Sequence, residues 1–155
     1  MADHGPVTSG IELVVPPGLA STVPYAYAAV TDPGRMVFTA GASPLDTDGT
    51  TVAVGDVAGQ ARQVMANLGT ALEAAGAGLS DVLKTTVYVA TADRADLIAA
   101  WDVVRAAFGE HAAPSTLVGV TMLGYPDQLV EVEAIAVRDS WQEPGPPDDA
   151  STVAE

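Results

Sequence analysis

An α+β domain is the fold class this sequence predicts: one mixed six-stranded sheet with two helices on one face. Three observations predict it. The apolar period shifts from 2 to about 3.6 and back along the chain. Two long helical stretches stand among six β-rich runs rather than alternating with each of them. And the last run, Leu129-Val130-Glu131-Val132-Glu133-Ala134-Ile135-Ala136-Val137, is apolar on both of its alternating faces yet holds two carboxylates two residues apart.

Residues 11–15, 25–30 and 35–40 read as short strands, the last two joined by the turn signal Asp32-Pro33-Gly34. Asp48-Gly49 marks another turn. From Asp56, a residue suited to cap a helix, Val57, Ala61, Val64, Leu68, Leu72 and Ala75 follow helical spacing until Gly76 stops the run. Residues 82–89 are β-rich through Thr85, Thr86, Val87 and Val89. Leu97, Trp101, Val104 and Phe108 then trace a second helix that ends at Gly109. Residues 116–122 and 129–137 close the domain as strands.

Two helices cover one face of such a sheet and leave the other bare. Glu131 and Glu133 share a face with Leu129, Ile135 and Val137, while Val130, Val132, Ala134 and Ala136 take the other. Neither face is polar enough for an ordinary solvated surface. An ionised carboxylate costs several kcal/mol to bury unpaired, so the glutamates face solvent, a subunit interface or a site. Oligomerisation with sites between subunits is the expectation.

The folded domain is expected over 10–139. Residues 1–9, polar with Gly5 and Pro6, read as a flexible arm, and 140–155, with Pro144, Pro146, Pro147, Asp148 and Asp149, as a disordered acidic tail. A chain of 155 residues, 48% hydrophobic but only 5% aromatic, makes one domain with a core of Ala, Val and Leu. A net charge of −14 repels phosphate backbones and anionic membranes, so neither nucleic acid nor membrane is an expected partner. With no cysteine, thiol chemistry and cysteine metal sites are excluded. No signal peptide and no apolar run of about 18 residues is seen, which makes a cytoplasmic location the default.

Local motifs are modest. No Walker loop and no GxGxxG after a strand is present, and Gly76-Ala77-Gly78 reads as a helix stop. Asp46-Thr47-Asp48-Gly49 echoes the start of a calcium loop but lacks its later ligands, so a hairpin turn is expected. His4 and His111 are too few for a histidine metal site; His111, after a helix end, is a capping or surface residue or a general base. Ser115, after Pro114, reads locally as a turn residue. Asp102 and Arg105 on the second helix suit a solvated ion pair.

The run Gln60-Ala61-Arg62-Gln63, Asn67-Leu68, Leu72-Glu73-Ala74-Ala75-Gly76, Asp81-Val82-Leu83-Lys84-Thr85-Thr86-Val87-Tyr88-Val89 resembles the RidA/YjgF family, as do Pro24-Tyr25, Val37-Phe38-Thr39-Ala40-Gly41 and Val130 to Val137. The likeness spans about residues 20–138. It implies a chorismate-mutase-like fold, a homotrimer with three intersubunit clefts, and hydrolysis of reactive enamines and imines to a 2-ketoacid and ammonia with no metal or organic cofactor. Carried over by position, Glu131 is the catalytic acid/base, Tyr25 lines the pocket and the backbone at Ala40 and Gly41 contacts the ligand. Asp102, Ser115 and Leu117 complete the implied binding residues.

One departure stands out. The deaminating members carry Pro-Ala-Arg-Ser or Pro-Ala-Arg-Thr before the fifth strand, where the arginine clamps the substrate carboxylate. Here that arginine position falls on Ser115, and an asparagine position of the second helix falls on Asp102. Both changes argue against a simple 2-imino acid and for a neutral or cationic substrate. The expected function is thus hydrolysis of an imine, enamine or similar labile small molecule; the alternative is a catalytically silent trimeric module that binds a small molecule or partner.

Overall fold

Eight principal segments follow the expected order: β1 (Ile11–Val14), β2 (Ala28–Thr31), β3 (Arg35–Phe38), α1 (Val57–Ala74), β4 (Val82–Ala90), α2 (Arg94–Phe108), β5 (Ser115–Val120) and β6 (Val130–Arg138). A short 3-10 turn at Leu79–Asp81 precedes β4. The computed structural model describes residues 10–31 and 34–138. The expected arm, the tail and the Asp32-Pro33 part of the turn lie outside the described residues.

Local chemistry accounts for the helix ends. Asp56 caps α1, its carboxylate accepting a hydrogen bond from Gly59 N at 2.9 Å. At the other end Gly76 adopts φ 78°, Gly76 N donates to Glu73 O at 3.0 Å and Ala77 N to Leu72 O at 2.9 Å. That is the Schellman pattern, which only a residue tolerant of positive φ completes without strain. Asp93 caps α2 through Ala95 N at 2.9 Å, so the helix starts three residues before Leu97, the first apolar position of its periodic face.

Hydrogen bonding divides the six strands. β1 and β2 form an antiparallel pair, and the other four form a mixed sheet in the order β3-β6-β4-β5. β4 and β5 are parallel and joined through α2, while β6 runs antiparallel to both β3 and β4. The α+β class, the mixed sheet and the two helices are as the sequence predicts. The difference is that the β1–β2 pair stands apart from the other four strands. β2 is also shorter than expected: Ala26 N donates to Ala112 O at 2.9 Å, so the chain at 25–27 is tied to the loop after α2.

Both helices pack on one face of the four-stranded sheet. Val64, Leu68, Leu72, Ala100 and Val104 meet Val87, Val89, Val130, Val132, Ala134 and Ala136 in a single core. β4 keeps this face apolar by a bulge. Val82 pairs with Ala136 and Lys84 with Ile135, so Leu83 is an extra residue. It reverses the alternation, and Val82 and Thr85, three apart, are both fully buried.

The opposite face is open. Lys84, Thr86 and Tyr88 of β4 lie there beside Ile135, Glu133 and Glu131 of β6. Phe38, in register with Ile135, is 71% exposed. Apolar side chains this bare are what the sequence led one to expect of a face that another subunit covers.

Candidate functional site

Glu131 is held by three neighbours that the fold brings to it. Gln128, buried just before β6, donates from Nε2 to Glu131 Oε2 at 3.0 Å, and Ser43 Oγ reaches the same oxygen at 3.5 Å. The same amide nitrogen lies 3.0 Å from Ser43 Oγ and 3.2 Å from Val130 O. Two N–H bonds serve three acceptors, so the amide has no freedom to turn away. Gln128 Oε1 accepts from Tyr125 N at 3.0 Å, which fixes the amide's orientation.

Gly41 supplies the third constraint. The chain leaves β3 after Phe38, because Thr39 Oγ1 accepts from Ala134 N at 2.9 Å in place of a backbone partner, and returns to β6 at Ala42, whose N donates to Val132 O at 2.8 Å. Between them Gly41 lies against Glu131, and a methyl group built on it would run into Glu131 Oε1, Cδ and Cγ. Only glycine lets the carboxylate sit there. Asn67 of α1 holds the neighbouring turn, donating to Ser43 O at 2.8 Å and Leu45 O at 2.9 Å.

Glu133 has a different setting. Its Oε1 accepts from Tyr88 OH at 2.9 Å. That bond, then burial and the carboxylate's charge, push the Tyr88 hydroxyl above its ordinary pKa of 10.0. Lys84 donates to Thr85 O at 2.6 Å and Thr116 Oγ1 at 2.9 Å. Burial lowers its pKa, and the charge of Glu133 pulls the other way.

On the other side of the sheet a cavity of about 400 Å3 opens between α2, the 21–26 segment and the start of β5, with Tyr25, Trp101, Arg105, Phe108, His111 and Ser115 in its walls. Tyr25 meets Trp101 edge-on at 6.4 Å and Tyr27 at 5.8 Å. Ser115 Oγ donates to Ala113 O at 3.0 Å, so in its 2.6 Å bond with Thr85 Oγ1 it is the acceptor. His111 lies 2.7 Å from Val82 O through Nε2, which must therefore carry the proton.

The residues singled out from the sequence therefore fall into separate groups. Gly41 adjoins Glu131, with Ala40 exposed next to it. Tyr25 and Ser115 share the second cavity. Leu117 packs against the core. Asp102 lines neither: it borders a groove of about 570 Å3 between the two helices with Arg62 and Met65. The expected Asp102–Arg105 ion pair does not form, since the two side chains turn to different cavities. Nor does Asp102 bring negative charge to the cavity holding Ser115.

The two groups also lie on opposite faces. Glu131 pairs with Tyr88 and Ser115 with Thr85, and residues three apart on a regular stretch of β4 point opposite ways. The calcium-like motif is a turn, as expected: Asp46 Oδ1 accepts from Asp48 N and Thr50 N, both at 2.9 Å, and Leu45 bridges to Thr51. Among the described residues no group of three or more His, Cys, Asp or Glu is placed to hold a metal ion, and no helix is long and apolar enough to cross a membrane.

Gln128 and Ser43 escape a reading of the sequence. Gln128 is three residues before Glu131 and just outside an apolar run, a faint signal. Ser43 lies 88 positions away from it, which no local pattern connects.

Against known proteins, residues 18–138 match the family model described as Endoribonuclease L-PSP. A RutC family protein of Pyrococcus horikoshii is 37% identical over 113 residues, 73% of this chain and 87% of that protein. The 2-iminobutanoate/2-iminopropanoate deaminase of Salmonella typhimurium is 40% identical over 115 residues, 72% of this chain and 87% of the enzyme. Among solved structures, a Rid family protein of unknown function from Yersinia pestis superposes with a TM-score of 0.78 at 30% identity, over 83% of this chain and 99% of that one.

Proposed function

The chain belongs to the RidA/YjgF family, and from that premise we propose that it hydrolyses a reactive imine or enamine with Glu131 as the acid/base. One observation carries the reading. Glu131 Oε2 is engaged by Gln128 and Ser43, while Oε1, beside Gly41, accepts no hydrogen bond from another described residue. A carboxylate with one oxygen fixed and the other free is a positioned proton carrier.

The chemistry needs no more than that. Glu131 takes a proton from a water as the water oxygen bonds to the imine carbon. The proton passes to nitrogen to give a carbinolamine. Glu131 then relays the hydroxyl proton of that carbinolamine to the same nitrogen, the C–N bond breaks, and ammonia leaves behind a carbonyl product. No cofactor enters the balance. An enamine joins the same path after protonation at carbon.

The site is completed between subunits in this reading. Glu131 on the open face of one chain acts beside Tyr25 and Ser115 of another, within a homotrimer built on a chorismate-mutase-like fold. Their separation onto opposite faces within one chain supports this, as does the exposure of Phe38. Small 2-imino acids are not the preferred substrates, because the proton of Ser115 is committed to Ala113 O and the position offers no cationic clamp. The family model's description names an endoribonuclease, but a chain carrying −14 charges is poorly suited to hold RNA.

The test uses imines generated in place by an amino-acid oxidase, with ammonia release followed. The protein accelerates release, and Glu131→Gln lowers the rate by about 10²–10⁴-fold without change in assembly mass or circular dichroism. Full activity in the variant rules the assignment out. Stoichiometric ligand binding with no acceleration of any imine points instead to a silent binding module.

A further inference from the structure

We propose that Arg105 is the anion-binding residue of this site, and that the substrate is an imino acid with a bulky apolar or aromatic side chain whose carboxylate Arg105 holds. The inference rests on the imine-hydrolase reading for its chemistry, but its binding part stands on separate observations.

Trp101, Arg105 and Phe108 recur at i, i+4 and i+7 on α2 and so lie along one stripe of the helix. All three line the cavity of about 400 Å3 that also contains Tyr25, His111 and Ser115. No Asp or Glu of the same chain lines it, so Arg105 is the one permanent charge this chain itself gives to the cavity. Asp102, three residues earlier, opens onto the other groove.

Arg105 is also uncommitted among the described residues. Arg62 lies 3.9 Å from Asp56, Lys84 donates to Thr85 and Thr116, and Arg138 donates to Ala75 O at 3.1 Å. Arg105 makes no hydrogen bond or ion pair to another described residue. In a chain with 20 acidic and 6 basic residues, a guanidinium over a cavity with no carboxylate partner among the described residues presents its fork of donors to an anion.

Two of the cavity's other polar side chains are already engaged. Ser115 gives its proton to Ala113 O, and His111 Nε2 gives its own to Val82 O. A carboxylate entering here therefore finds its strongest donor in Arg105, which presents paired N–H groups to two oxygens. The walls around it are aromatic, with Tyr25 set edge-on to Trp101. A volume of about 400 Å3 suits a drug-sized or aromatic ligand and leaves a three-carbon acid loosely held. Charge recognition has thus moved from the strand position, now Ser115, to the facing helix, and the expectation of a neutral or cationic substrate gives way to an anionic one.

Equilibrium binding of three probes tests this without any need for turnover: phenylpyruvate, its uncharged ethyl ester, and pyruvate. Phenylpyruvate is expected to bind at least tenfold more tightly than either of the others. Arg105→Gln should remove that advantage over the ester, and Arg105→Lys should keep part of it. Arg105 is exposed, so an unchanged melting curve is expected of both variants and is checked first. Equal binding of acid and ester, no binding of either, or an Arg105→Gln variant that still prefers the acid overturns the proposal. Hydrolysis of the phenylalanine-derived imine is measured in parallel. Binding through Arg105 without hydrolysis sustains the anion site and sinks the hydrolase reading. Hydrolysis indifferent to Arg105 does the reverse.

Discussion

The two faces of the four-stranded sheet are built to different rules. The covered face is made of Val, Leu and Ala locked against both helices, and its polar member, Thr85, is fully buried with its hydroxyl paired to Ser115. The open face carries Lys84, Tyr88, Glu131 and Glu133, each bonded to a side chain or backbone group and none fully enclosed. Burial of apolar area holds the first together. The second depends on hydrogen bonds whose net worth is about 0.5–1.5 kcal/mol each. Apolar burial therefore resides on one side, and in the proposed reading the proton-carrying carboxylate lies on the other, so substitutions should separate the two.

The largest effect expected on stability lies on the covered face. Leu68→Ala opens a cavity in a fully buried position and should cost about 2–5 kcal/mol in denaturant unfolding. A loss under 1 kcal/mol would mean that the helices contribute little to holding the sheet.

Gln128→Ala probes the junction of the two regimes, since this side chain is 4% exposed yet serves Glu131. Leaving Ser43, Tyr125 N and the carboxylate without their partner should cost about 1–3 kcal/mol. Imine turnover should also fall about tenfold or more. An unfolding cost without any loss of turnover would make Gln128 a structural residue alone.

Tyr88→Phe is the smallest, at about 0.5–1.5 kcal/mol near neutral pH. Its signature is in the pH dependence. A raised folded-state pKa for Tyr88 means the native chain binds more protons than the unfolded one at alkaline pH. Its contribution is intact below the ordinary value of 10.0 and is lost as pH rises through the folded-state value. Lys84, with its pKa lowered, acts with the opposite sign over the range below 10.5, where rising pH relieves the cost of burying its charge. Melting curves from pH 8 upward should show the alkaline decline diminished in Tyr88→Phe. An identical decline in both proteins would remove the Glu133–Tyr88 bond from the account of the open face.

What was legible in the sequence follows the same division. Periodic burial places both helices and β6 to within a few residues, because apolar spacing is itself the cause of their packing. The conspicuous glutamates of β6 marked the open face for the same reason. Tyr25 was misplaced within a strand, since its departure depends on a hydrogen bond from Ala26 to Ala112, far along the chain. The division of α2 between Asp102 and Arg105 was missed as well. Helical spacing says that residues three apart are neighbours, but not that a cavity lies on each side of the helix axis. Gln128 and Ser43 were invisible because nothing local announces a partner that folding alone supplies.

The bulge at Leu83 shows how much of this depends on counting. A strand is a message read in twos, and one inserted letter puts everything downstream out of phase with what came before. Upstream of Leu83 the even-numbered Val82 belongs to the interior; downstream the odd-numbered Thr85, Val87 and Val89 do. Without that one residue Val82, Thr85, Val87 and Val89 would alternate in plain twos; with it present, only a bulge buries Val82 together with the other three. Strand length is itself information here, and an alignment that slides a gap across this position would assign Lys84 and Tyr88 to the wrong side of the protein.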